Sequence, residues 1–242
     1  VPLERELAFV GIGVRDRLGR PLLEDVNFTI AAGEKVALVG TNRRAVRAIG
    51  SLLVRFADPD TGHIEFDGVD VRQATLDSLR GQVALVWEDQ MLFTGSVREN
   101  IRCSNPRFSD RRVLKAAQAV HADQFLQHLP DGLDTIVGEH GIRLEASRAF
   151  RVALARALLH DPRVVFVEEP AEELDEASEE LVDHALRRIA RGRTLLVVPN
   201  RTEWLHLADR VLVFHEGKLH ASGTHVELLD QSELYRHMQY VR

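Results

Sequence analysis

The residues best placed to do chemistry sit where an apolar run meets a helix. Gly40-Thr41-Asn42-Arg43-Arg44-Ala45-Val46-Arg47 follows directly on Glu34-Lys35-Val36-Ala37-Leu38-Val39. A main-chain phosphate cradle has the spacing G-x-x-x-x-G-K-[ST]. Its glycines let backbone N–H groups wrap the phosphates, its lysine reaches the outer ones, and its hydroxyl holds Mg²⁺. Here Gly40 is kept, but the second glycine is Ala45, the lysine is Val46 and the hydroxyl is Arg47. Two readings follow. The segment is an ordinary strand-to-helix turn, or Arg43, Arg44 and Arg47 grip phosphate through guanidinium forks instead of backbone.

Such a turn needs a scaffold, and the rest of the chain supplies one. Residues 163–167 and 193–198 are further Val/Leu runs, which read as parallel strands covered on both faces. Residues 209–214 and 218–221, joined at Glu216-Gly217, read as a strand pair with a tight turn. The 109–120 stretch predicts a helix with Ser109 as its N-cap and Val113, Leu114, Ala117 and Val120 at helical spacing. Helices are also predicted over 145–160, ended by Asp161-Pro162, and over 176–190, with Gly192 just beyond. The order is a β-rich start, strand, helix, inserted helical block, strand, helix, strand. That argues an α/β fold with a helical insertion.

Composition narrows the class. The chain has 242 residues, 45% hydrophobic and 28% charged, enough to bury a sizeable core and too apolar for disorder. Cys103 is the only cysteine, so no disulfide scaffold is possible. No apolar run approaches the ~18 residues of a spanning helix. The net charge of -6 argues against nucleic acid as a partner. The chain opens on Val1-Pro2 rather than methionine, which fits a processed chain or a piece of a longer one.

Several framework segments together resemble one family, the nucleotide-binding domain of ABC transporters of the exporter type. They are Gly33-Glu34-Lys35-Val36-Ala37-Leu38-Val39-Gly40, Asp58-Pro59-Asp60-Thr61-Gly62 and Leu92-Phe93-Thr94-Gly95-Ser96-Val97-Arg98-Glu99-Asn100-Ile101. Val137-Gly138-Glu139-His140-Gly141, Ala153-Leu154-Ala155-Arg156-Ala157 and Gly223-Thr224-His225-Val226-Glu227-Leu228-Leu229 add to them. The resemblance spans nearly the whole chain. It implies an α/β P-loop NTPase core with a parallel sheet, a small antiparallel β subdomain and an inserted helical subdomain. On that pattern 1–85 and 159–242 form the core with its β subdomain, and 86–158 the helical subdomain, all within one domain over 1–242.

The nucleotide-handling positions that the resemblance implies depart from the family pattern. The phosphate loop maps to Gly40, Thr41, Asn42, Arg43, Arg44, Ala45, Val46, Arg47 and Ala48. The adenine-stacking aromatic becomes Asp16, expected as a solvated surface turn. The glutamine near the metal becomes Glu88, the metal carboxylate Glu168, and the switch histidine Asn200. Glu169 stands at the catalytic base. The signature turn reads Leu144-Glu145-Ala146-Ser147-Arg148, with Glu145 placing negative charge where phosphate would sit and favouring the helix start instead. Asp175 matches the loop that contacts a second cassette. The metal positions are thus Arg47, Glu88 and Glu168, a guanidinium among two acids. Arg47 is expected to take the ion's place and pair with Glu88, Glu168 or both, since buried unpaired carboxylates are costly.

The resemblance therefore implies an exporter cassette with weak or absent ATP binding and hydrolysis, a structural or regulatory half. Its partners would be transmembrane domains, fused or separate, and a second cassette as homo- or heterodimer, at the cytoplasmic face of a membrane. No metal and no cofactor are expected. The alternative is an active cassette using ATP and Mg²⁺, with Arg43, Arg44 and Arg47 as phosphate ligands and Glu169 as general base. A third possibility is an interaction module with no transport role.

Overall fold

The computed structural model describes residues 3–88, 92–103 and 105–240; Val1-Pro2 lies outside them. Contacts divide the chain into two compact units. One comprises Val1–Val83 with Gly192–Arg242, the other Ala84–Arg191.

The first unit carries an antiparallel sheet in which Glu6–Arg15 lies between Pro21–Ala31 and Thr61–Phe66, with the short strand Val69–Asp70 at one edge. Burial alternates along Pro21–Ala31, the mark of a sheet with one covered face. The same unit holds the first core strand, Lys35–Gly40. It pairs in parallel with Thr194–Val198 on one side, Leu196 opposite Val36, and with Arg210–His215 on the other, Leu212 opposite Leu38. Lys218–Gly223 closes the far edge antiparallel to Arg210–His215. Val36, Ala37 and Leu38 are fully buried, as a run without polar alternation requires. The helix Arg43–Leu53 packs on this strand, with Val46, Ile49 and Leu53 among its buried residues.

In the second unit the strand Val164–Glu168 lies beside Val83–Val86. The central element is the helix Ala146–His160, packed by Val97–Arg102, Asp110–Ala119 and Glu176–Ala190. Its buried face includes Phe150, Val152 and Leu154. It ends at Asp161 in a left-handed conformation, with Pro162 following. Gly192 is left-handed beyond Glu176–Ala190. Ser109 occupies the N-cap of Asp110–Ala119, though its hydroxyl makes no capping hydrogen bond. The α/β fold expected from the sequence is therefore present. No helix among the described residues is long and apolar enough to cross a membrane.

Three histidines make this fold sensitive to mild acid. His121, His160 and His225 all titrate below the ordinary 6.5, each chiefly because burial disfavours the imidazolium. His225 is also held by the Tyr235 hydroxyl, 2.7 Å from its Nδ1, and faces the His206 ring. Unfolding frees these rings to take up protons at 6.5, so the unfolded chain binds more protons below that pH. Their contribution is complete above pH 6.5 and is lost as pH falls through 6.5 toward the folded values. Urea midpoints are expected to be flat between pH 7 and 8 and to fall by pH 5.5. A midpoint that rises on acidification contradicts this.

Candidate functional site

At the end of the strand Lys35–Gly40 the chain turns into a helix within two residues. Thr41 donates its N–H to the Phe214 carbonyl at 3.2 Å, and its Oγ1 lies 3.2 Å from His215 Nδ1. Asn42 is the N-cap, with φ −121°, and its Oδ1 accepts the Arg44 N–H at 3.0 Å. The helix starts at Arg43, and the amides of Ala45 and Val46 donate to the Asn42 carbonyl at 3.1 and 3.4 Å. The N–H groups of Thr41, Arg44, Ala45 and Val46 are thus all engaged by the chain itself. No residue from 41 to 47 has positive φ, so no nest of converging amides forms. Val46 is 1% exposed, and a Cβ on Gly40 would stand 2.7 Å from its Cγ2. Gly40 is required by this close packing. Arg43 and Arg44 are exposed, and Arg47 is half-buried.

Asp16 lies in the hairpin turn, with its carboxylate engaged by the turn itself. It organises the hairpin loop, accepting the Leu18 and Arg20 N–H groups and both Nε and Nη2 of Arg20. Arg44 Nη1 approaches to 3.8 Å. The Arg20 guanidinium and amide hold the carboxyl down to about 2. The side chain is only 3% exposed.

In the second unit Glu168 ends its strand, and Glu168 and Glu169 are fully buried. The Glu88 N–H points at Glu168 Oε2, 3.4 Å away, and Glu88 Oε1 accepts the Ala171 N–H at 2.8 Å. Glu88 is thus tied into the loop after the strand. The Mg²⁺ positions that the resemblance implies call for a hydroxyl at 47 and a neutral amide at 88. A guanidinium replaces the hydroxyl at 47, and one Glu88 oxygen is already committed to a backbone amide. Among the described residues no group of three or more His, Cys, Asp or Glu is arranged to hold a metal. Asn200, half-buried, lies two residues past the strand Thr194–Val198 in the first unit.

Glu145 is the N-cap of Ala146–His160, but its carboxylate bonds no helix amide and instead meets Arg148 Nε at 3.4 Å. Ser147 is 3% exposed. Leu144, Glu145 and Ala146 line a cleft of about 580 Å³ with Glu88, Arg143 and Pro170. Asp175 is the N-cap of Glu176–Ala190 and accepts the Ser178 N–H at 2.7 Å.

The best-built polar centre of this unit has no assigned role in the sequence reading. Asn100 is fully buried; its Oδ1 accepts from the Phe93 N–H at 3.0 Å and Arg156 Nη2 at 3.1 Å. Its Nδ2 donates to the Phe93 and Ser96 carbonyls at 2.9 and 3.1 Å. Arg156 Nε adds a 2.7 Å bond to the Asn100 carbonyl. Asn100, sharing the buried face of an otherwise charged short helix with Val97 and Ile101, was the available signal. Ser96 and Glu99 form a capping box on the same helix. Beside it, Gly95–Ser96 pairs with Ile136–Val137, and Phe93, Ile136 and Ile142 present exposed apolar surface.

The sequence profile described as ABC transporter matches residues 23–172. The chain belongs to the ABC transporter family. It is 38% identical over 237 residues to an ATP-dependent lipid A-core flippase of Alcanivorax borkumensis, covering 98% of this chain and 41% of that protein. A flippase of the same name from Legionella pneumophila is 36% identical over 241 residues, again 98% and 41%. The structure of a bacterial Atm1-family ABC exporter with ATP bound superposes with a TM-score of 0.90 at 33% identity. It covers all of this chain and 42% of the exporter chain. This chain thus spans about two fifths of the length of the ABC proteins it matches. The fold is that of an ABC cassette, while the turn at Gly40 is closed by its own helix.

Proposed function

We propose that this chain is the ATP-binding cassette of an ABC exporter that binds MgATP weakly or not at all and hydrolyses it negligibly. It serves as a structural or regulatory half, coupled to transmembrane domains and paired with a second cassette at the cytoplasmic face of a membrane. The observation that carries this reading is the turn after the first core strand. Its amides at 41, 44, 45 and 46 bond the chain's own oxygens, and Val46 fills the space beneath them. A triphosphate held there would have to unwind the first turn of a capped helix. Glu145 at the start of the signature helix adds repulsion for any phosphate brought to it. The exposed apolar side chains Phe93, Ile136 and Ile142 support docking of a partner on the 92–96 and 136–142 segments.

Titrating the purified chain with MgATP into the millimolar range, read by thermal midpoint and phosphate release, tests this. No shift and no turnover are expected. Saturable turnover abolished by Glu169→Gln would instead establish the rival, in which Arg43, Arg44 and Arg47 hold the phosphates and Glu169 acts as general base.

A further inference from the structure

His121 and His184 bring two imidazole nitrogens face to face on the helical unit. His121 Nε2 and His184 Nδ1 are 2.7 Å apart, with ring centroids at 4.5 Å and planes inclined by 60°. His121 follows the helix Asp110–Ala119 in a left-handed conformation, φ +57°, and His184 sits on Glu176–Ala190. Both are anchored. Arg151, buried, donates Nη1 to the His121 carbonyl at 2.9 Å and Nε to the Ser147 carbonyl at 3.3 Å. His184 is fixed by its helix and is exposed on its outer side.

We infer that His121 and His184 form a two-imidazole chelate for a nitrogen-seeking late first-row divalent cation, of the class Ni²⁺, Cu²⁺ or Zn²⁺. An ion held at roughly 2.0–2.1 Å from two cis nitrogens sets them about 3 Å apart, so the pair needs to widen by only a few tenths of an ångström. Imidazole is the ligand this class prefers. As the ion binds, the ring that donates in this pair carries its proton on its outer nitrogen instead, so both facing nitrogens offer a lone pair and both rings stay neutral. The ion then ties the end of one helix to the flank of another. Its remaining positions are water, because no third side-chain ligand gathers there among the described residues. The charges facing the pair are Asp123, which favours a cation, and Arg151, which opposes one. Burial and the neighbouring ring keep His121 in its neutral, ligating form at pH 7.

Two measurements on the whole chain test the site. Calorimetric titration with Zn²⁺ at pH 7.5 is expected to give one equivalent of binding above the background of the chain's other histidines. That binding weakens by about tenfold or more in His184→Ala, and the double variant with His121→Ala loses no more than either single one. Cu²⁺ electron paramagnetic resonance is expected to show two imidazole nitrogens in the parent chain and not in His184→Ala. Thermal midpoints without metal check that each variant is folded, and His184→Gln, at the exposed ring, serves if His121→Ala is not. Equal Zn²⁺ affinity in the parent and a folded His184 variant, or a copper spectrum that the substitution leaves unchanged, overturns the assignment.

Discussion

Replacing Asn100 with alanine is expected to destabilise the helical unit by about 3 kcal/mol or more. The change removes four hydrogen bonds around one fully buried side chain, one of them to a guanidinium. It leaves the Phe93 N–H and two carbonyls without this partner and deprives Arg156 of one acceptor, and such unsatisfied groups carry the full desolvation penalty. Burial holds Arg156 below its ordinary value, the mark of a charge that depends on its hydrogen-bond partners. Urea unfolding measures the loss, and limited proteolysis should find cleavage within 92–101. A loss below ~1 kcal/mol would mean that the amide is not the hub the geometry describes.

Restoring the family's lysine is expected to fail, and to do damage. Val46→Lys places an ammonium at a position 1% exposed, packed against Gly40. Burying an unpaired charge costs several kcal/mol, so a drop of about 3 kcal/mol or more is expected. No gain in MgATP affinity should accompany it. The missing lysine is one absence; the other is the amide nest, which the helix beginning at Arg43 has consumed. A V46K chain that stays folded and binds MgATP more tightly than the parent would sink this reading. On the function proposed above, tighter MgATP binding is expected only when the Asn42 cap is removed and glycine is returned at 45 in the same molecule.

The core strands were legible because a Val/Leu run with no alternation has few places to go in a soluble fold. Lys35–Gly40, Thr194–Val198 and Arg210–His215 fall within a residue or two of the boundaries read from sequence. The helix Ala146–His160 was equally clear, its stop written in Asp161-Pro162. The site was legible as a set of positions but not as a geometry. Asn42 before Arg43-Arg44-Ala45 is a capping signal, yet nothing local says that the cap prevails over a nest. Asp16 reads as a surface acid because its partner Arg20 is four residues on, across a turn that only the hairpin closes. Glu88 meets the Ala171 amide 83 residues away, and His121 meets His184 across 63. Such pairings come from tertiary packing, which a single sequence does not encode position by position.

The junction between 92–96 and 136–142 has a further meaning. Gly95 opposes Val137, Ser96 opposes Ile136, and the Val97 N–H reaches the Thr135 carbonyl at 3.0 Å. Gly138, at φ +95°, comes so close that a Cβ would lie 2.7 Å from the Phe93 carbonyl carbon. The linkage is main chain against main chain, so it is indifferent to which side chains decorate the outer rim. Phe93, Ile136 and Ile142 stand exposed on that rim, while the backbone beneath them runs directly into the Ser96 cap of Val97–Arg102. The join is thus made by backbone, and the surface it presents is made by side chains.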